Sequence, residues 1–261
     1  MIKLFKKTRM TNLPKSIDEV LIELDKIIAA SIENGDYLAI FAYVYRRTTA
    51  QIKQEILAEA FDNNERMEKM DVIFANRYLD AYQQFIHKTT PTSSWQVSFK
   101  ARFQKLTIMQ HLILGMSAHI NFDLGIAAAE MAKGQDIEDL KNDFMKVNDI
   151  LAKLTNEMQL RVARVSKLMF LLDWIGGKSD ERFANFSIKK ARQFAWNVAT
   201  TLALLDGESR EIAIQKFDHE IAKFNNVILK PRGKILNAIL KFIGYFEEKN
   251  IEKIVGNLKA N

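Results

Sequence analysis

The sequence of 261 residues contains no cysteine, only three prolines and only ten glycines. The lack of cysteine excludes a disulfide framework, a thiolate metal site and a cysteine nucleophile. It is also compatible with a reducing compartment, so we expect the protein to be cytoplasmic. Because few residues interrupt helices and no segment shows the alternating pattern of strands, the composition argues against a sandwich or barrel.

Several motifs that would identify a function are also missing. The sequence has neither GxxxxGK nor GxGxxG, the two glycine-rich patterns that bind phosphates. It lacks the GxSxG turn of serine hydrolases and the HExxH pattern of zinc proteases. We expect no signal peptide, because no apolar run follows the first lysines. We also expect no membrane span, because no stretch has about 18 uninterrupted apolar residues.

The formal net charge of +6 is concentrated at the two ends of the chain. Residues 1–15 carry a charge of +5 and residues 227–261 carry +4, which leaves −3 for residues 16–226. A protein that binds nucleic acid would more often carry a basic stripe across its body. We therefore expect no nucleic-acid partner.

Apolar residues recur at helical spacing along almost the whole chain, and 48% of all residues are hydrophobic. Helix start signals accompany this pattern, for example the capping box that begins at Ser16. The sequence therefore predicts an all-α fold, a single-domain bundle of about eight to nine helices with no sheet. Residues 16–261 would form this domain, and residues 1–15 a basic, flexible N-terminal arm.

The last strongly apolar stretch of the chain has two interpretations. After Pro231, a broad apolar face is formed by Ile235, Ile239, Phe242, Ile243 and Phe246. The stretch is too short to cross a bilayer. We favour a buried closing helix, because the face is wide. The alternative is a helix that lies on a membrane surface, which the nearby lysines would support, but we do not favour this peripheral contact.

The central stretch, residues 111–129, holds the most informative polar residues. His119 and Asp123 are four residues apart, so on a helix they share one face and could bind one metal ion. His111 lies about 12 Å earlier along a straight helix, too far to join them easily. The structural alternative is that His119 and Asp123 form an ion pair, since one pair supplies too few ligands for a metal centre.

Other ionisable and amide residues also lie within apolar helical runs. The predicted third helix contains Asp71, Asn76 and Arg77, and a later helix contains Asn148. Charged side chains in such positions need partners if they are buried. The simpler alternative is that Arg77 pairs with Asp80 on the surface.

Several segments together resemble one known family. They are MDVIFANRYLDAY (70–82), the stretch around Trp95, HLILGMSAHINFDLGIAAAE (111–130), FMKVNDIL (144–151) and ARQFAW (191–196). In this order and spacing they are similar to domain-of-unknown-function family 5995, a largely bacterial group, over residues 16–250. The resemblance implies a single all-helical domain and no known activity.

The resemblance also implies which positions are polar in the family. They match Asp71, Asn76, Arg77, His119, Asn121, Asp123 and Asn148 of this sequence. This sequence departs from the family pattern at Ser117, where Asn is more frequent, and at Phe122, where His is frequent.

From these residues we predict that Asp71, Arg77, His119, Asp123 and Asn148 meet in a buried polar cluster. In the enzymatic hypothesis the protein is a hydrolase-like or metal-dependent catalyst that acts on a small molecule. Its catalytic residues are Asp71, Arg77, His119 and Asp123, of which Asp71, His119 and Asp123 bind a divalent metal and Arg77 binds an anionic group. Asn76, His111 and Asn121 are further candidates. In the alternative, a non-enzymatic scaffold or binding module, the same residues only hold the helices together.

Overall fold

The structure, a computed structural model, describes residues 13–168 and 188–259. The helices in chain order are α1 (Ile17–Glu33), α2 (Leu38–Leu57), α3 (Asn64–Ile86), α4 (Ser93–Lys100), α5 (Ile108–Met116), a π-helix (Ser117–Asp123), α6 (Leu124–Met131), a 3-10 helix (Ile137–Leu140), α7 (Lys141–Val165), α8 (Ile188–Ala203), α9 (Gly207–Leu229), α10 (Lys234–Phe246) and α11 (Ile251–Lys259).

The all-α class is confirmed, and the described ranges contain no strand. They contain eleven α-helices rather than eight or nine. One addition arises because the π-helix divides the predicted central helix into α5 and α6. The other is α11, which follows the predicted closing helix. The apolar periodicity did not reveal the division at the π-helix, because the apolar pattern continues through it. It did not reveal α11 either, because that helix is short.

The start of the described chain is attached to α3. The side-chain amide of Asn76 donates a hydrogen bond of 2.9 Å to the carbonyl of Pro14. Residues 1–12, which make up most of the predicted basic arm, lie outside the described residues. The flexible arm and the single domain stay predictions.

Side-chain caps fix where several helices begin. The Ser16 hydroxyl accepts a bond from the Glu19 amide at the start of α1, as the capping box predicts. Asn63 caps α3 in the same way through the Arg66 amide. Thr107 and Gln110 form a reciprocal capping box that starts α5. The caps at Asn63 and Thr107 begin the two helical segments that carry the central polar residues.

The continuous helical segment from α5 to α6 is the most buried part of the fold. By length and composition it could cross a membrane, with a mean hydropathy of 1.4, but 89% of that window is buried within the protein. Small residues allow this burial. A side chain at Gly125 would meet the carbonyl oxygen of Ala195 in α8 at 2.7 Å. Ala127, Ala128 and Ala129 of the same segment are also buried, with exposed fractions of 0–1%.

The closing helix α10 is buried only along a narrow stripe. Leu236, Leu240 and Ile243 are buried. Phe242 is 50% exposed and Phe246 is 61% exposed, so the prediction that the whole apolar face is buried was wrong. The physical reason is that α10 lies at the edge of the bundle. Leu236 and Leu240 pack on a small core beneath it, and nothing covers the outer half of its wide apolar face in the described residues.

Candidate functional site

The π-helix carries the two central polar residues. His119 and Asp123 lie within it, and they are only 2% and 1% exposed. A π-helix has a wider turn than an α-helix and occurs frequently at functional sites. The segment remains helical on both sides, with αR geometry at Met116 and Leu124. Tertiary contacts of its side chains therefore have to stabilise this local departure from α-helical geometry.

The strongest of these contacts are made by the Asp123 carboxylate. Arg77 of α3 donates from Nε to Oδ1 at 2.9 Å, and Trp95 of α4 donates from Nε1 to Oδ2 at 2.7 Å. The charge-assisted bond to Arg77 compensates the burial of the carboxylate. One side chain thus connects α3, α4 and the π-helix. Arg77 also approaches Glu130, with 3.8 Å between Nη1 and Oε1.

His119 contacts the same carboxylate more weakly. Its Nδ1 lies 3.5 Å from Oδ2 of Asp123. The imidazole stacks on the Phe74 ring with centroids 3.6 Å apart, and the Tyr45 ring meets it edge to face with centroids 4.3 Å apart. Burial lowers the pKa of His119, and the contact with Asp123 only partly opposes this effect. The ring is therefore neutral at neutral pH.

The contact with Asp123 also assigns the tautomer of His119. Because an ionised carboxylate can only accept a hydrogen bond, we infer that Nδ1 carries the proton. Nε2 then holds the lone pair, and this buried atom has no hydrogen-bond partner among the described residues.

A cavity of about 730 Å³ lies beside His119. Its walls come from α2, α3, the α5–π–α6 segment, α7 and α8, and they are mainly apolar. This volume is within the usual range for small-molecule sites. The polar lining residues are Tyr45, Thr48, Asp71, His119, Asn148, Asp149, Lys189 and Arg192.

Asp71 is the buried acid of this cavity. Its Oδ2 is buried and has no hydrogen-bond partner in the part of the chain that is described. By contrast, the buried Asp143 accepts bonds from two backbone amides and Arg66, and Asp218 caps α4. Burial, with a smaller effect from the charge of Glu68, raises the pKa of Asp71 to about 7. Its carboxyl group can therefore hold or release a proton near neutral pH.

A smaller pocket of about 200 Å³ lies next to Asp123. Asn76, Arg77, Trp95, Asp123 and Glu130 are among its lining residues. His119 lines the large cavity and Asp123 lines the small pocket, so their contact separates the two spaces. The predicted single cluster is therefore divided between two pockets.

The predicted site residues consequently have different surroundings. Arg77, His119 and Asp123 are in contact, whereas Asp71 and Asn148 share only the cavity with His119. Asn121 donates to the Ser117 hydroxyl at 3.2 Å. His111 stacks on Tyr37 with centroids 4.4 Å apart and lines neither pocket, and burial lowers its pKa to about 4.

The predicted metal set receives no support. Within residues 13–168 and 188–259, no group of three His, Asp or Glu side chains is placed to hold a metal ion. The physical reason is the environment of Asp123, because Arg77 and Trp95 occupy both of its oxygens. Asp71, in turn, belongs to the other pocket.

Sequence reasoning missed three residues that shape the site. Trp95 was used only to mark one segment of the family resemblance, although its indole N–H donates a hydrogen bond to Asp123. Tyr45 received no functional role, and it is a buried residue of α2 that also lines the cavity. Arg192 was overlooked, but a usable signal existed. It lies in the segment ARQFAW (191–196), three and four residues before Ala195 and Trp196 and therefore on the same helix face, and a cation among these apolar residues needs an explanation.

The comparisons with known proteins agree with the resemblance seen in the sequence. The family described as "Family of unknown function (DUF5995)" matches residues 17–231, which is most of the chain. No curated protein and no solved structure matches the chain.

The pKa of Asp71 leads to a prediction about stability. Between its ordinary value of 3.8 and its native value of about 7, the folded protein keeps a proton that the unfolded chain releases. The free energy of unfolding contributed by this group therefore falls as pH rises through that window. Asp71→Asn lacks this loss, so its stability relative to wild type should increase from about pH 4 to about pH 7, by up to about 4 kcal/mol.

Urea unfolding across this pH range measures the difference. Asp139→Asn, at an exposed position, is the matched control and should follow wild type at every pH. If the difference between Asp71→Asn and wild type stays constant with pH, Asp71 is ionised in the folded protein and this account of the cavity acid is wrong.

Proposed function

The chain belongs to DUF5995, a family of unknown function, and we propose that it binds a largely apolar small molecule in the cavity beside His119. The observation that carries this proposal is the cavity of about 730 Å³, lined mainly by aliphatic, methionine and aromatic side chains. Close-packed interiors contain few voids larger than a water molecule. An apolar space of this size is typical of a ligand site.

Two buried polar atoms support the same proposal. Oδ2 of Asp71 and Nε2 of His119 have no hydrogen-bond partner among the described residues, and both residues line the cavity. A buried polar group without a partner costs about 1–3 kcal/mol. Each of these atoms exposes less than 1 Å², so a ligand with a hydroxyl, amide or similar polar group would recover that free energy by displacing the side chains that cover them.

The same two residues provide an enzymatic form of the proposal. His119 can accept a proton at Nε2, and Asp123 would stabilise the resulting imidazolium. In a hydrolase-like reaction, a water O–H would give its proton to Nε2 as its oxygen attacks the ligand. Asp71 could supply a proton to the leaving group, because its pKa lies near neutrality. This chemistry uses no ion at Asp123, and Arg77 is on the side of the small pocket.

The alternative, a non-enzymatic scaffold, explains part of the site. The bonds of Asp123 to Arg77 and Trp95 hold three helical segments together with or without a ligand. That role leaves the unpaired atoms of Asp71 and His119 unexplained, and it does not require a cavity. Ligand binding accounts for the cavity and for the unpaired atoms of both Asp71 and His119.

Cavity-filling variants test the proposal with the neutral apolar dye Nile red. We expect wild type to bind the dye, with a blue shift and a gain in its fluorescence. Val44→Trp and Ile120→Trp place a large ring in the cavity, so each should weaken binding by about tenfold or more. Ile22→Trp, on α1 at a position that is 55% exposed, is the matched control and should bind normally.

Thermal unfolding of each variant confirms that it is folded. The proposal fails if wild type does not bind the dye, or if the two filled variants bind it as well as the control does.

One further observation favours a second candidate function, contact with an anionic membrane surface. The exposed face of α10 contains Ile235, Phe242, Tyr245 and Phe246, whose exposed fractions range from 50% to 79%. Exposed lysines at 234, 241 and 249 and the exposed Arg232 lie near them. An apolar face with basic neighbours is the pattern of helices that lie at the interface of anionic bilayers.

Vesicle sedimentation tests this candidate. Wild type should co-sediment with phosphatidylglycerol-containing vesicles, less so in high salt, and not with pure phosphatidylcholine vesicles. Phe242→Asp should lose this binding and keep its melting temperature, because the side chain is half exposed. Ile212→Asp, at a position on α9 that is 45% exposed, is the matched control and should bind like wild type. Equal binding of Phe242→Asp and the control would exclude α10 as the contact.

A further inference from the structure

Arg192 is a buried cation in the wall of the cavity. It lies on α8 and is only 4% exposed. Its Nε donates to Oδ1 of Asn148 at 2.6 Å, and its Nη2 donates to the carbonyl oxygen of Phe144. The guanidinium carbon lies 4.4 Å from the centroid of the Phe144 ring. These contacts to α7 fix the position and the plane of the guanidinium.

The other buried or half-buried arginines of the core are paired with acids. Arg66 binds Asp143 at 2.9 Å, Arg77 binds Asp123 at 2.9 Å, and Arg161 binds Glu157 at 2.7 Å. Arg192 has no carboxylate partner among the described residues. Burial lowers its pKa to about 9, so it is still charged at neutral pH. A buried charge without a counter-ion is strongly unfavourable.

The charged groups that line the same cavity do not compensate Arg192. They are two acids and one base, Asp71, Asp149 and Lys189, and neither acid forms an ion pair with Arg192 in the described ranges. Asp149 is on the exposed side of α7. Lys189 precedes Arg192 by one turn of α8 and adds a second positive charge. The α8 wall of the cavity is therefore electropositive.

We propose that the cavity binds an amphipathic anion, an apolar chain that ends in a carboxylate, and that Arg192 binds the carboxylate. This inference rests on the proposed ligand site and specifies its ligand class. The bonds of Arg192 within the described residues use Nε and Nη2, which leaves Nη1 for an anion. Asn148 acts as a positioning residue that holds the guanidinium, and the methionine and aliphatic residues of the cavity would surround the chain.

A comparison of two ligands of equal chain length tests the inference. Isothermal titration calorimetry of wild type with dodecanoate and with dodecanol should show that dodecanoate binds about tenfold tighter or more. Arg192→Gln should remove this preference by weakening dodecanoate, with little change for dodecanol. Lys190→Gln, an exposed neighbour that does not line the cavity, is the matched control and should keep the preference.

A folding control and a conservative variant accompany the calorimetry of Arg192→Gln. A thermal melt shows whether Arg192→Gln is folded. If it is not, Arg192→Lys keeps the charge without the planar fork and should reduce the preference for dodecanoate without abolishing it. The wild-type comparison of the two ligands needs no variant at all.

The outcomes separate this inference from the proposed function. Equal affinities of wild type for dodecanoate and dodecanol would overturn the role of Arg192 and leave the apolar site intact. If Nile red binds but dodecanoate does not, the inference of an anionic ligand is wrong, and the proposed apolar site is retained. If Nile red, dodecanoate and dodecanol all fail to bind, both proposals fall.

Discussion

The shared Asp123 carboxylate is the interaction on which the centre of this protein depends. It accepts one hydrogen bond from Arg77 and one from Trp95, and it is almost completely buried. Removing either donor would leave a buried charge undercompensated, which is among the most costly changes in a protein interior. The same side chain belongs to the π-helix, so its bonds to α3 and α4 hold that unusual segment in place.

The position of Asp123 determines what His119 can do. Nδ1 of His119 is directed to the carboxylate, and the ring is packed between Phe74 and Tyr45. Burial keeps the imidazole neutral and leaves Nε2 without a partner. Two opposing effects thus act on the pKa of His119. Desolvation lowers it and the Asp123 carboxylate raises it, and the effect of desolvation is larger. The result is a neutral base in the wall of an apolar cavity, with the acid Asp71 in the same cavity.

The sequence was sufficient to predict the helical class, the side-chain cap at Ser16 and the contact between His119 and Asp123. Residues four apart share a helix face, and the two side chains are in contact even though the helix widens to a π-helix. Spacing along one helix does not determine which neighbouring helix supplies a partner. For that reason the sequence placed Asp71 with Asp123, whereas the fold places them in different pockets.

The exposure of α10 and the role of Trp95 also differ from what the sequence indicated, and for a similar reason. An apolar face at helical spacing indicates burial but not how much of the face finds a partner, and α10 buries Leu240 while Phe242 stays half exposed. Trp95 was unremarkable in the sequence, because an indole N–H becomes a donor to a particular acid only after α4 packs on the central helix. Arg192 could have been noticed, since it interrupts an apolar face.

The protonation state of His119 tests the central claim most directly. It can be observed in a long-range proton–nitrogen correlation spectrum of protein that carries ¹⁵N in its histidines, with His119 assigned from the spectrum of His119→Gln. We predict a neutral ring with the proton on Nδ1 at about pH 7, because burial lowers the pKa of His119 below its ordinary value. A ring that is protonated at this pH, or that carries its proton on Nε2, would contradict this prediction.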